Sequence, residues 1–230
     1  MTLPDYIAIA LFILLWLAYA RITGNQVIWQ RTSLTKAMAE RRREWILNSM
    51  TRDLKMIDTQ IMGGLQNGTA FFASTTIFAI GGCFALLGAT EQVDAILRDI
   101  PFIVQGGRAT FELKVCGLIG LFAYSFFKFG WSYRLFNYCT ILFGAIPMLD
   151  EAKADPARAM EAAERTIRMN IIAASHFNMG LRAIFYSIGY LGWFVSPWIF
   201  MIATVLVFIV LLRRQFFSEA RLALLNGSDR

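Results

Sequence analysis

The sequence predicts an all-α fold, a polytopic membrane helical bundle of about five transmembrane helices with helical extensions into the cytoplasm. Hydrophobic residues make up 57% of the 230 residues and charged residues only 17%, whereas ordinary soluble domains carry about 25% charged residues. The apolar stretch at 171–212 is about twice as long as the roughly 20 residues that one membrane-spanning helix needs. Because Pro197 interrupts this stretch, we expect two spans joined by a tight turn.

Apolar runs place the predicted spans at about 3–20, 67–87, 109–129, 171–195 and 197–212. Span two follows the Gly63-Gly64 pair, and the helix of span three continues past the membrane surface until Pro147. A polar turn at 150–156 then precedes a charged helix that leads into span four. Spans two, three and four are therefore expected to extend into the cytoplasm as helices.

We expect one membrane domain over residues 1–230, with three cytoplasmic parts. Residues 24–60 form a basic amphipathic helical segment, because apolar residues recur there at three- and four-residue spacing beside arginines. Residues 150–170 form a charged turn and helix, and residues 213–230 form a basic cytoplasmic tail.

The distribution of basic residues predicts the orientation. Segments 21–67, 131–170 and 213–230 hold eight, five and four Lys or Arg residues, whereas the 90–108 loop holds two. Because cytoplasmic loops carry the excess of Lys and Arg, we expect a plasma (inner) membrane protein with its N-terminus outside and its C-terminus in the cytoplasm. The alternative has four spans, with 171–195 lying on the membrane surface, and this places Arg213 and Arg214 outside.

Two stretches resemble a known family. One is Met-Gly-Leu-Arg-Ala-Ile-Phe-Tyr at 179–186, followed by Trp193 and Pro197. The other runs from Asp-Thr-Gln-Ile at 58–61 through Gly-Thr-Ala-Phe-Phe-Ala-Ser-Thr at 68–75. They are similar to an uncharacterised family of multi-pass membrane proteins of bacteria and plants, catalogued as a domain of unknown function. The resemblance implies a helical membrane protein and implies no activity.

Span four carries the polar side chains His176, Asn178 and Arg182. Ionisable groups inside a span cost about 2.5–3.5 kcal/mol on insertion scales, so each is a candidate for function. One interpretation is a proton-titrating or anion-attracting patch that lines a cavity, since histidine changes charge near neutral pH. The other is structural, with these residues near the cytoplasmic headgroups and Arg182 bound to lipid phosphate or a carboxylate.

Span two has the most polar face, and its candidates for lining a pore are Gln66, Asn67, Thr69, Ser74 and Thr75. Small hydroxyl and amide side chains suit a hydrated lumen in an oligomer. They suit equally a packed interface, in which Gly64 and Gly68 let helices approach and hydroxyl groups bond across them.

Span three begins with Glu112 and Lys114. Their position at the end of the span favours snorkelling to the membrane surface. Glu112 is a weaker candidate for an ion pathway, and Arg108, four residues earlier, is a partner for its carboxylate.

Two basic clusters are candidates for contact with lipid headgroups, namely Arg41, Arg42 and Arg43, and Arg213 and Arg214. Near an anionic leaflet each basic residue is worth about 1 kcal/mol. A solvated face of a cytoplasmic helix is an equal interpretation of the first cluster. No recognised nucleic-acid-binding module is present, so the expected partner is the lipid bilayer and not nucleic acid.

Catalytic motifs are absent, since the chain has no GxSxG, no P-loop and no GxGxxG after a strand. His176 is the single histidine, and the three cysteines are too widely spread for a CxxC pair. We therefore expect no metal, no cofactor and no enzyme. An enzyme at the membrane surface would need His176 with Glu161 or Glu164, a pair supported only by closeness in sequence.

These observations favour a homo-oligomeric pore or transport-type protein for ions or small solutes, with span two or span four lining a polar path. The alternative is a non-catalytic accessory or scaffold subunit that binds other membrane proteins through its cytoplasmic helices and basic tail.

The topology is tested by labelling in intact cells. We expect a cysteine introduced by Arg230→Cys to react with a membrane-impermeant reagent only after lysis, and a tag before residue 1 to be accessible without lysis. Labelling of residue 230 in intact cells would overturn the assigned orientation.

Overall fold

The computed structural model describes residues 1–24, 31–93 and 107–225, and the regular elements in these ranges are helical. A 3₁₀ turn, Gly192–Phe194, lies between the sixth and seventh helices. Parts of the predicted 24–60 segment, the 90–108 loop and the basic tail lie outside the described residues. The helices are α1 (Leu3–Gly24), α2 (Leu34–Ser49), α3 (Met56–Gly88), α4 (Gly107–Gly144), α5 (Leu149–Ala154), α6 (Pro156–Leu191), α7 (Pro197–Phe216) and α8 (Glu219–Leu224).

Among the described residues, four helical stretches are long and apolar enough to cross a membrane, namely Leu3–Gly24, Met56–Gly88, Gly107–Gly144 and Pro197–Leu224. They confirm the predicted all-α, polytopic membrane bundle. α6, which contains the predicted span four, is 36 residues long, or about 54 Å. His176, Asn178 and Arg182 lower the hydropathy of its apolar half, so α6 is not among the four.

The bounds of two elements differ from those predicted. α3 begins at Met56 and passes through Gly63 and Gly64, because a glycine inside a helix costs only about 1 kcal/mol and the neighbouring Met62 is buried in the core. The predicted polar turn at 150–156 contains the short helix α5. Asp150 and Glu151 lie in its first turn, where negative charge stabilises a helix.

The predicted tight turn at Ser196 and Pro197 is present between α6 and α7. The Ser196 hydroxyl accepts a hydrogen bond from the backbone N–H of Ile199 at 3.2 Å, which caps α7. Pro197 begins the helix at a position where a missing N–H costs nothing. Gly192 permits the close approach of the two segments, since an added Cβ would lie 3.1 Å from the carbonyl oxygen of Ile199.

The chain divides into two compact units. The first unit comprises Met1–Leu34, Thr76–Ser125 and Leu181–Arg230, and the second comprises Thr35–Thr75 and Phe126–Gly180. The core of the first unit is aromatic. The ring of Phe200 lies 5.4 Å from each of the rings of Phe12 and Trp193, measured between centroids.

Ring contacts show the directions of the helices in the first unit. α1 and α7 run in the same direction, because Phe12 contacts Phe200 and Tyr19, further along α1, contacts Phe208. α6 runs in the opposite direction, because its Tyr190 contacts Phe12 at 5.8 Å, whereas earlier in α6 the guanidinium of Arg182 lies against Tyr19. The C-terminal ends of α1 and α7 therefore lie at the same end of this unit.

The second unit packs α2, α5 and parts of α3, α4 and α6. Its buried apolar residues are Ile46, Met62, Cys139, Phe143, Ile146, Ala163 and Ile167, with a smaller cluster of Leu135, Phe136 and Ala173. The hydroxyl of Ser132 donates to the carbonyl of Ala173 at 2.8 Å, which joins α4 to α6 inside this unit.

Gly117 of α4 is the most closely packed glycine among the described residues of the first unit. A Cβ there would overlap the hydroxyl oxygen of Tyr190 and lie 3.0 Å from its Cζ. We expect Gly117→Ala to lower the free energy of unfolding by about 1–3 kcal/mol, because the packed helices cannot separate freely. Thermal unfolding in detergent measures the change.

Gly120→Ala is the matched control, since nothing lies within 4 Å of a Cβ at that position. It should be neutral or stabilise the helix by up to about 1 kcal/mol. Adding Tyr190→Phe to Gly117→Ala should restore part of the loss. Equal unfolding temperatures for the two alanine variants would contradict the packing described here.

Candidate functional site

Trp193 joins two ionisable side chains in the first unit, and we call Trp193, Asp5 and Lys114 the Trp193 cluster. The indole Nε1–H donates to Oδ1 of Asp5 at 2.8 Å, and the Trp193 carbonyl accepts from Nζ of Lys114 at 2.7 Å. The same Nζ lies 5.3 Å from the centroid of the indole, within cation–π range. Asp5 and Lys114 are each only 6% exposed, and their opposite charges attract.

The Trp193 cluster shows how charged side chains are accommodated among apolar helices. Asp5 also accepts hydrogen bonds from the backbone N–H and the hydroxyl of Thr2, at 2.7 and 2.8 Å. Lys114 does not snorkel to the surface as expected, because the Trp193 carbonyl offers a buried acceptor within reach. Glu112 accepts from Nε of the neighbouring Arg108 at 2.8 Å, so the expected pair is present.

Arg182 lies in an aromatic environment in the first unit. Its guanidinium carbon lies 5.5 Å from the ring centroid of Trp16 and 5.6 Å from that of Tyr19. The Tyr186 ring is buried beside Trp16, with the two centroids 4.9 Å apart. Nε of Arg182 is buried and has no hydrogen-bond partner among the described residues. The side chain is thus stabilised as a cation while a donor remains unused.

Two of the three arginines in the first predicted lipid-headgroup cluster hold α2 against α6 in the second unit. Nη1 of Arg42 donates to Oδ1 of Asn170 at 2.5 Å, and Arg43 forms a bidentate pair with Glu164, with one N–O distance of 2.9 Å. Burial lowers the pKa of Arg42 below its ordinary value, whereas the hydrogen bond and the charge of Glu164 raise the pKa of Arg43. Arg41 pairs with Glu44 of its own helix.

Asp58 is a buried carboxylate at the start of α3. Its Oδ1 accepts from Nε1 of Trp45 at 2.8 Å and from Arg52, whereas its buried Oδ2 has no hydrogen-bond partner among the described residues. Lys55 donates to the carbonyls of Ile146 and Pro147, at 2.9 and 3.2 Å. Burial lowers the pKa of Lys55, although the charge of Asp58 opposes the shift. These contacts hold the α2–α3 loop against α3 and against the residues that follow α4.

The five polar candidates of span two lie on different faces of α3. Gln66 points into the second unit and donates from Nε2 to Asn137 at 2.8 Å and to Thr140 at 2.9 Å. Thr69 is buried, and its hydroxyl donates to the carbonyl of Leu65 on the preceding turn. Asn67, Ser74 and Thr75 are exposed. The sequence treated all five as one set, and the structure separates them.

The six exposed residues of α3 between positions 64 and 75 form one continuous face. Their spacing of three and four residues puts them on one side of a helix. We call this face the α3 stripe, and its members are Gly64, Asn67, Gly68, Phe71, Ser74 and Thr75.

The candidates of span four also differ in their surroundings. His176 is half-buried in the second unit, with its ring 6.5 Å from that of Trp131 and its Nδ1 buried without a partner among the described residues. Asn178 is exposed. Arg182 belongs to the first unit. Arg213 and Arg214 are exposed near the end of α7, where the guanidinium of Arg214 lies 5.3 Å from the Phe185 ring.

Sequence reasoning missed the Trp193 cluster and the role of Asn170. A signal for the cluster was present, since Asp5 and Lys114 carry opposite charges and enter apolar runs at the same predicted side of the membrane. Asn170 gave no such signal, because the sequence placed it at the end of a polar helix. In the structure it is fully buried, and its Nδ2 also approaches the sulfur of Cys139 at 3.5 Å.

The Trp193 cluster is tested by removing one hydrogen-bond donor. Trp193→Phe keeps an aromatic ring and loses the N–H that binds Asp5, so we expect about 1.5–3 kcal/mol lower stability, the usual contribution of a hydrogen bond to a charged group. Thermal unfolding in detergent reports this as a fall in Tm.

Trp198→Phe is the control for that variant, because Trp198 is 65% exposed and lies five residues later in the chain. Its Tm should stay within about one degree of the original, as is usual for surface substitutions. If both variants lost the same stability, the hydrogen bond to Asp5 would not contribute measurably to the free energy of unfolding.

The family comparison agrees with the resemblance read from the sequence. The model of the family described as "Protein of unknown function, DUF599" matches residues 7–220, which run from α1 into α8 and include most of the chain. The searches found no curated protein and no solved structure that matches this chain. The chain is therefore a multi-pass membrane protein that belongs to the DUF599 family.

Proposed function

We propose that the protein is a homo-oligomeric, transport-type membrane protein in which the α3 stripes of neighbouring copies enclose a polar path for ions or small solutes. The observation that carries the proposal is the position of Asn67 on that stripe. Its amide is exposed and has no hydrogen-bond partner among the described residues. In a lipid environment such a group is stabilised by another helix or by water in a lumen.

The shape of the α3 stripe supports a second copy of the chain as the neighbour. Nothing lies within 4 Å of a Cβ built on Gly64 or Gly68, so the helix backbone is open to close approach there. One turn further on, Phe71 is 65% exposed and projects from the same face. The stripe thus combines recesses and a projecting ring, and two identical faces supply complementary parts to each other.

The polar members of the stripe continue along the helix. Ser74 lies seven residues after Asn67, which is two turns or about 10 Å. Thr75 beside it donates its hydroxyl to the carbonyl of Phe71 at 2.9 Å and keeps its acceptor lone pairs for another group. Polar groups therefore occur at successive levels of one exposed face.

Two other amide side chains of the second unit bind partners inside the unit. Gln66 binds Asn137 and Thr140, and Asn170 binds Arg42. These contacts favour a path between copies over a path through the interior of one copy.

An accessory or scaffold role is the second candidate, and one observation favours it. Leu54, two residues before α3, is 73% exposed, and Met56 and Ile57 in the first turn of α3 are 75% and 67% exposed. Three large apolar side chains side by side at the end of a helix suit contact with another membrane protein.

The test compares oligomeric state and flux of the purified protein in liposomes. Gly68→Leu places a large side chain on the α3 stripe, so it should disrupt the oligomer and abolish flux. Asn67→Leu should keep the oligomer and lower flux by about tenfold, the equivalent of losing one hydrogen bond of about 1.4 kcal/mol to the moving solute.

Gly120→Leu is the matched control, because Gly120 is exposed on α4 and equally open to an added side chain. Oligomer and flux should both be retained in this variant. Absence of flux under any ion gradient, together with purification of a fixed partner protein, would favour the scaffold role. If the oligomer persists in Gly68→Leu, the α3 stripe is not part of the interface between copies.

A further inference from the structure

Arg182 and Arg214 each lie against aromatic rings in the first unit. Arg182 extends from α6 with its guanidinium carbon 5.5 Å from the ring centroid of Trp16 and 5.6 Å from that of Tyr19. Arg214 extends from α7 with its guanidinium 5.3 Å from the Phe185 ring. Because Phe185 lies three residues after Arg182 in the helix α6, Arg214 approaches the same face of α6 that carries Arg182.

Their contacts leave hydrogen-bond donors unused. A guanidinium has five N–H donors, and an aromatic face attracts its charge without accepting in the manner of an oxygen. Nε of Arg182 is buried without a partner, and within the described ranges neither arginine forms an ion pair. These donors therefore find no carboxylate acceptor among the described residues.

Within residues 1–24, 31–34, 76–93, 107–125 and 181–225, the carboxylates of this unit are engaged or distant along their helices. Asp5 belongs to the Trp193 cluster at the opposite end of α1, and Glu91 and Glu112 both bind Arg108. Glu219 is exposed on α8. Basic side chains prevail near the ends of α1 and α7, where Arg21 and Arg213 are also exposed.

The level of the two arginines matches a lipid headgroup. Tyr19 lies five residues before the end of α1, about 7.5 Å, and Arg214 lies two residues before the end of α7, about 3 Å. Arg182 extends toward the same end, as arginine does when it snorkels from an apolar helix. Aromatic and arginine side chains at this depth are typical of the boundary between acyl chains and headgroups.

We propose that Arg182 and Arg214 form a binding site for the phosphate of one phospholipid molecule, with the rings of Trp16, Tyr19 and Phe185 positioning the two guanidiniums. The phosphate oxygens accept charge-assisted hydrogen bonds from both arginines, and the bidentate geometry of guanidinium suits them. The acyl chains extend along the apolar surface of the bundle. This site is separate from the α3 stripe, so it stands whether or not the protein conducts solutes.

The experiment is native mass spectrometry of the purified protein titrated with an anionic phospholipid, phosphatidylglycerol. The unmodified protein should retain one tightly bound lipid per copy. Arg182→Gln and Arg214→Gln should each weaken that binding by about tenfold or more, since each removes a charge-assisted hydrogen bond. Arg182→Lys should also weaken it, because lysine keeps the charge and loses the planar fork.

Arg213→Gln is the matched control, because it removes the same charge from the adjacent position, whereas Arg214 is the residue held over the Phe185 ring. It should change the affinity by less than about twofold, the effect expected of a screened surface charge. If Arg182→Gln impairs folding, the test rests on comparing the phosphatidylglycerol affinities of Arg214→Gln and Arg213→Gln. An equal loss of lipid affinity in those two variants would indicate only a general attraction between charges and would overturn the proposal.

A second arm separates a lipid from a soluble phosphate compound. Inorganic phosphate at millimolar concentration should leave the bound phosphatidylglycerol in place. Displacement of the lipid by inorganic phosphate, or stabilisation of lipid-free protein by phosphate that depends on Arg182, would assign the site to a soluble anion and overturn the lipid.

Discussion

The need to pair polar groups in a medium without water governs this protein. An unpaired charge among apolar helices costs several kcal/mol, so such a side chain is stable only where the fold supplies a partner. The Trp193 cluster is the clearest case, since one indole binds Asp5 through its N–H while its carbonyl binds Lys114. Three separate helical segments of the first unit meet at this residue, and the turn into α7 follows directly.

The second unit satisfies the same constraint with longer side chains. Arg42 and Arg43 reach from α2 to Asn170 and Glu164 on α6. These two arginines, which the sequence indicates as candidates for binding lipid headgroups, thus have a structural role. In the first unit the balance differs, because Arg182 and Arg214 rest on aromatic rings and retain donors for a further ligand. Identical residue types therefore serve different purposes according to what the neighbouring helix carries.

Most of the fold followed from the apolar pattern. The length of the apolar runs, the break at Pro197 and the continuation of α4 up to Gly144 were all readable, because helices in lipid must satisfy their backbone groups internally. The start of α3 was not, since Gly63 and Gly64 looked like a boundary. Glycine only weakens a helix, and the burial of Met62 beside them outweighs that cost.

The sequence by itself determined that this chain is a helical membrane protein, which residues are expensive in lipid, and that the chain turns at Pro197. Only the tertiary structure decided which of those residues find a hydrogen-bond partner. Gln66 and Asn67 are adjacent in the chain, yet one binds Asn137 inside the second unit and the other is exposed. The physical reason is that one residue along a helix turns a side chain by about 100°, so packing against other helices decides which neighbour finds a partner.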